Sequence, residues 1–164
     1  LLAQGYKKVA HLSGPPSIST AIGRRKGYLR ALRQPPPSGY IVDASYHEES
    51  SGFEAMQKLL RLAKRPDAVF AASDPIAIGA LQAIQQAGLD AGPDVGVIGV
   101  GNHRYGEYLR TPLSTVDQRR NEIGRTAARL LLRKIRGDSC DETNPVIIEP
   151  ELIVRASSRR AGRS

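Results

Sequence analysis

The strongest constraint on the fold is a rhythm: a short apolar run, a polar loop, then an amphipathic stretch of ten or more residues, repeated three times from the start of the chain. Lys8–Ser13 reads as a buried strand, and Gly14, Pro15 and Pro16 break it before a helix from about Ser19 to Arg33. Tyr40–Ala44 gives a second strand, and Gly52–Lys64 carries Phe53, Met56, Leu59, Leu60 and Ala63 at helical spacing. Ala68–Ala72 is the third strand. Ser73 and Asp74 can cap the helix that follows, Pro75–Gln86, with Gly88 as its stop. Beyond it come a strand at Val95–Val100, a short extended piece at Leu113–Val116, a periodic helix at Asn121–Arg136 and an extended run at Val146–Val154.

Strands that alternate with helices in this way form an α/β fold: a doubly wound parallel sheet with helices on both faces. Such sheets bind ligands outside the carboxyl ends of their strands, where the strand order reverses. The loops to inspect are therefore Ser13–Arg24, Ser45–Ser51, Ser73–Pro75 and Gly99–Tyr105.

A chain of 164 residues suffices for one compact domain, and no apolar run approaches the length of a bilayer span, so no membrane partner is expected. Leu1–Tyr6 offers no export signal, and a cytoplasmic location is the expectation. The net charge of +8 points to nucleic acid only weakly. Arg155, Arg159, Arg160 and Arg163 fall in the last ten residues, which contain no acid, and leave +4 for the rest. The single cysteine, Cys140, cannot pair internally, and no histidines share metal-ligand spacing. Neither a metal nor a cofactor is expected. The Gly-x-Ser-x-Gly elbow and the Gly-Lys-Ser/Thr phosphate loop are both missing, and Gly99-Val100-Gly101 is a poor dinucleotide fingerprint. The chain reads as a binding module and not an enzyme.

The strand-end loops offer hydroxyls, amides, a guanidinium and an imidazole. Arg24 is either a planar two-pronged anchor in the cleft or a solvated helix arginine beside Arg25 and Lys26. Thr20 lies one helical turn before it, as a ligand contact or a first-turn residue. Asp74 is favoured as a structural cap over a general base, which leaves the Ser73 hydroxyl free. His11 reads as packed within its strand, and His103 as a loop residue.

The ordered pieces resemble the LacI/GalR-type transcription regulators. They are Gly5-Tyr6-Lys7-Lys8-Val9-Ala10-His11-Leu12-Ser13-Gly14-Pro15 with Arg24-x-x-Gly27-Tyr28; Pro66-Asp67-Ala68-Val69-Phe70 with Ser73-Asp74; Ile78-Gly79-Ala80-Leu81; and Asp94-Val95-x-Val97-Ile98-Gly99. Leu113-Ser114-Thr115-Val116-x-Gln118 and Pro150-Glu151-Leu152-x-Val154-Arg155 extend the match almost to the tail.

The resemblance implies an incomplete effector-binding domain of the type I periplasmic-binding-protein-like fold, mostly its C-terminal lobe. Residues 1–116 would form that lobe, 117–149 a segment crossing to the N-terminal lobe, and 150–164 a return strand with a basic tail. The implied function is binding of a small polar effector, sugar or related metabolite, which controls DNA binding allosterically, in a homodimer. Its dimer surface would be the helices at Gly52–Lys64 and Pro75–Gln86. Operator DNA would be contacted only through an N-terminal head outside this chain. A sugar-transport solute-binding protein shares the fold and is the alternative. On this resemblance Arg24, Thr20 and Ser73 fall on ligand-contacting positions, with Asp74 a structural aspartate. Either His47 or Tyr46 supplies a covering ring, and Gln118 lies at the lobe crossover. Gly101 stands where the family usually places an effector-binding aspartate, with Asn102 as a partial substitute; this leaves the effector's identity open.

Overall fold

In the computed structural model, residues 1–32, 34–45, 48–137 and 145–160 are described. Tyr46, His47, Cys140 and Arg163 lie outside them. The strands are β1 (Val9–Ser13), β2 (Ile41–Asp43), β3 (Ala68–Ala71), β4 (Gly96–Val100), β5 (Ser114–Asp117) and β6 (Glu151–Ile153). The helices are α1 (Ser19–Ala31), α2 (Glu49–Leu60), α3 (Asp74–Gln86) and α4 (Arg120–Ile135). The strands form one sheet in the order β2-β1-β3-β4-β5-β6. The first four pairings are parallel, as expected, and β5–β6 is antiparallel.

Several predicted elements change their bounds, the strand expected at Tyr40–Ala44 narrowing to Ile41–Asp43 among them. The extended run expected at Val146–Val154 narrows to three residues, because Pro150 has no N–H to give a ladder. The predicted helix at Gly52–Lys64 begins and ends earlier, at Glu49 and Leu60.

The two faces of the sheet differ. Ala10 and Leu12 of β1, Val69 and Ala71 of β3 and Val97 of β4 point to the side covered by α2 and α3. There they pack with Met56, Leu59, Ile76, Ala80 and Ile84 in the main core. The alternate residues, Val9, Ala68 and Phe70, face the other side, where Tyr28 of α1 closes a smaller cluster. Helices α2 and α3 meet at two glycines. A Cβ on Gly52 would overlap the Ile76 carbonyl, and one on Gly79 would overlap the carbonyl of Glu49. α4 is different: none of its residues is buried, and Leu131, Leu132 and Ile135 are exposed.

His11 is packed, as the sequence predicts. Its ring stacks at 5.1 Å on both Tyr28 and Phe70, and Nδ1 donates to the Phe70 carbonyl at 2.8 Å. That fixes the proton on Nδ1 and leaves Nε2 buried with no partner among the described residues. Burial lowers its pKa to about 4. Because the unfolded ring has its ordinary pKa near 6.5, the unfolded chain binds the extra proton between these values. Stability is therefore full above pH 6.5 and falls by about 3 kcal/mol as the pH drops to 4. Urea midpoints measured across that range should fall in wild type. In His11→Phe the decline should be clearly shallower; an unchanged slope would show that His11 is not its source.

Candidate functional site

Strand order reverses between β1 and β3, so the crevice at their carboxyl ends is where a ligand fits in a sheet of this kind. Arg24 spans it. From the second turn of α1 its Nη1 donates to the carbonyl of Ala72, just past β3, at 2.8 Å. Its Nη2 reaches Gln118 Oε1, just past β5, at 3.4 Å. Burial lowers the Arg24 pKa and the Asp74 carboxylate opposes that, which places the two charges in one neighbourhood. Arg24 is therefore half-buried and held at two points, with N–H groups to spare. Thr20 is exposed on the first turn of the same helix, and Ile18, not Thr20, occupies the cap position.

At the end of β3 the roles of two neighbours are exchanged relative to expectation. Ser73 is the cap of α3, its Oγ accepting the Ile76 N–H at 3.4 Å, so the hydroxyl expected to be free has one of its two lone pairs engaged. Asp74 is the first helical residue, 1% exposed, and holds a neighbouring strand. Its Oδ1 accepts from Thr115 Oγ1 of β5 at 2.6 Å, and its Oδ2 accepts from the His103 backbone N–H at 2.8 Å. His103 Nδ1 lies 3.3 Å from the same oxygen. His103 lies in the strand-end loop Gly99–Tyr105 but reads from sequence only as a loop residue, since its partner Asp74 is 29 residues away.

The loop after β4 is shaped by Gly101 at φ +135° and Asn102 at φ +49°. The His103 ring lies against Gly101: a Cβ there would stand 3.0 Å from ring atoms Cε1 and Nδ1. The Asn102 carboxamide is engaged at both ends, donating to Asp117 Oδ2 at 3.0 Å and accepting from Arg155 at 3.1 Å. Asp117 also accepts the Arg119 backbone N–H at 2.7 Å. That bond, and next the one from Asn102, hold its pKa below the ordinary carboxylate value. Tyr46 and His47, the candidates for a covering ring, lie outside the described residues.

Larger hollows exist elsewhere, one of about 630 Å³ beside Tyr6 and Pro36. A smaller one of about 300 Å³ opens at this edge, beside Asn102, Asp117 and Arg120. Convergent polar groups, not volume, single out the edge. The described residues contain no cluster of histidine, cysteine and carboxylate side chains able to hold a metal ion.

The family model for a periplasmic binding protein-like domain matches residues 1–158. This chain belongs to that family. Its curated relatives are LacI-type regulators. One is the HTH-type transcriptional repressor PurR of Actinobacillus pleuropneumoniae serotype 3, 34% identical over 168 residues, which cover 99% of this chain and 49% of the relative. Among solved structures, a regulatory protein of the LacI family from Chloroflexus aggregans superposes with a TM-score of 0.88 at 32% identity, over 95% of this chain and 57% of that one. A complex of the transcriptional regulator CelR with cellobiose does so with a TM-score of 0.83 at 32% identity, over 96% and 48%. The chain spans about half the length of the curated relatives it matches. Those periplasmic-binding-protein-like relatives are transcriptional regulators, not enzymes. No helix among the described residues is long and apolar enough to cross a membrane.

Proposed function

We propose that this chain is the ligand-sensing part of a LacI-type transcriptional regulator, binding a small polar effector at the carboxyl edge of its sheet and conveying that event to a DNA-binding head outside it. The observation that carries the reading is Arg24, half-buried at the switch point and held by Ala72 and Gln118, with donors unspent among the described residues. The relatives support the setting: repressors named PurR, and a CelR structure with cellobiose bound. Residues 1–116 and 150–164 make one lobe on this reading. The uncovered apolar side of α4, Leu131 and Ile135 among it, packs in a second lobe that residues 117–149 help to build. Ligand bridging the lobes favours one closure state and so changes operator affinity. The intact protein is a homodimer joined through the outer sides of α2 and α3.

The test is calorimetric titration of the intact protein with sugars, sugar acids, sugar phosphates and purines, repeated on Arg24→Ala. The effector should lose at least about tenfold in affinity, the scale of a charge-assisted hydrogen-bonded pair. An effector that binds both proteins equally well would remove Arg24 from the site.

A further inference from the structure

We propose that Arg119 is the residue at which α4 changes its direction relative to the sheet, and that Asn102 and Asp117 form the latch that holds it in the direction seen. The inference concerns how the chain crosses out of the sheet and stands whichever ligand the edge takes; its consequence for sensing rests on the reading above.

Two of the described residues that are not glycine have left-handed backbone, Asn102 at φ +49° and Arg119 at φ +54°. They stand in different segments, the loop after β4 and the position before α4, and one carboxylate joins them. Asp117, the last residue of β5, accepts the Arg119 N–H on Oδ1 at 2.7 Å and the Asn102 side-chain amide on Oδ2 at 3.0 Å. Asn102 is held from three further sides. Its N–H donates to Thr115 Oγ1 at 3.1 Å, its Oδ1 accepts from Arg155 Nη2 at 3.1 Å, and its carbonyl accepts from Arg120 Nη2 at 3.4 Å. The outgoing strand, the returning chain just past β6 and the first residue of α4 thus meet on one residue.

The backbone dihedrals of Arg119 set where α4 points. The carbonyl of Arg119 accepts the N–H groups of Glu122 and Ile123 at 2.9 and 3.0 Å, so the helix is built directly on it. Asparagine takes left-handed backbone readily; arginine does so rarely, because its Cβ crowds the following carbonyl. The ion pair of Arg119 with Glu122, at 2.8 Å, lies inside the first turn and gives no hold on the sheet. The bond from Asp117 fixes the Arg119 N–H, and Asn102 fixes Asp117. Strained backbone kept in place by a bond that can open makes a two-state element. With the latch open, residue 119 returns to a right-handed or extended conformation and α4 takes another direction. On the sensing reading α4 travels with the second lobe, so the latch favours one closure state.

Spin-label distances in the intact protein test this without any ligand. The labels go on Arg30→Cys, at the end of α1, and Arg129→Cys, on α4, with Cys140→Ser and any other cysteine replaced. Labelled protein is diluted with unlabelled protein, so that only distances within one chain are read. Arg129 stands about 15 Å along the helix from Arg119, so a change of direction moves its label by several ångströms. The starting protein should give one narrow distribution. Arg119→Val, whose branched side chain disfavours left-handed backbone, should shift or broaden it. Asn102→Asp, which removes the donor and sets a second carboxylate against Asp117, should do the same. Arg119→Asn tolerates the left-handed conformation and should leave the distribution narrow. Adding Asp117→Asn to Asn102→Asp should restore it, because amide and carboxylate have then changed places and the Arg119 N–H keeps an acceptor. An unchanged distribution in Arg119→Val, or one in the double variant as broad as in Asn102→Asp alone, overturns the inference. If Asn102→Asp does not fold, Asn102→Gly takes its place: it keeps the backbone conformation and loses only the carboxamide, and an unchanged distribution there overturns the inference equally. The expected distances, found together with effectors that bind Arg24→Ala as well as wild type, would remove the sensing role and leave the latch.

Discussion

Gly79→Ala should cost about 3 kcal/mol or more, and Gly79→Val should leave no folded protein at room temperature. The added Cβ has nowhere to go. It would overlap the carbonyl oxygen of Glu49 and lie 2.6 Å from the Phe53 backbone nitrogen, and backbone cannot rotate aside as a side chain can. Helices α2 and α3 would have to separate, and between them and the sheet lie Met56, Leu59, Ile76 and Ile84, all fully buried. Denaturant unfolding monitored by circular dichroism measures the loss. Gly23→Ala is the control: within α1 and with nothing near its Cβ position, it should gain about 0.5–1 kcal/mol from reduced chain entropy. Similar effects at both positions would mean that the helix crossing tolerates an extra methyl group.

Asp74→Ala should cost about 3–5 kcal/mol, on the scale of removing one partner from a buried charged network. It leaves the Thr115 hydroxyl and the His103 N–H facing a void, in a place where water has little access. The loop after β4 loses its tie to α3, so effector affinity should fall together with stability. Asp74→Asn keeps an acceptor for one of the two donors and should lose less. A double variant, Asp74→Ala with Thr115→Val, should recover part of the loss, because the orphaned hydroxyl is gone. Simple additivity would show that the two side chains act independently.

The architecture was legible because it follows from periodicity. Alternate residues of β1 face opposite sides whatever lies around them, and the spacing of Phe53, Met56, Leu59 and Leu60 makes a helix with one apolar side. What stayed hidden depended on meetings between distant segments. Gly52 and Gly79 read as ordinary helix residues until α2 and α3 are laid across each other. Ser73 and Asp74 are equally good caps by residue type. Only the position of Thr115, 41 residues on, turns Asp74 towards a strand and leaves Ser73 the cap. His103 reads as a loop histidine for the same reason, because its bond to Asp74 joins segments 29 residues apart. The antiparallel direction of β6 also depends on how the chain returns after α4, which local pattern does not encode.

That return has a mechanical consequence. The chain leaves the sheet after Asp117 and re-enters it at Glu151, and these two residues are paired partners in the β5–β6 ladder. α4 is thus suspended from two strands laid side by side. Such a ribbon bends easily across its thin direction, but sliding one strand along the other, or twisting them apart, breaks ladder hydrogen bonds. Swinging about the ribbon is the soft motion for whatever travels with α4, and Gln118, one residue beyond β5, sits on the pivot with its side chain on Arg24. A displacement at the guanidinium is therefore applied close to the axis, where a shift of an ångström becomes a much larger arc at the far end of the helix.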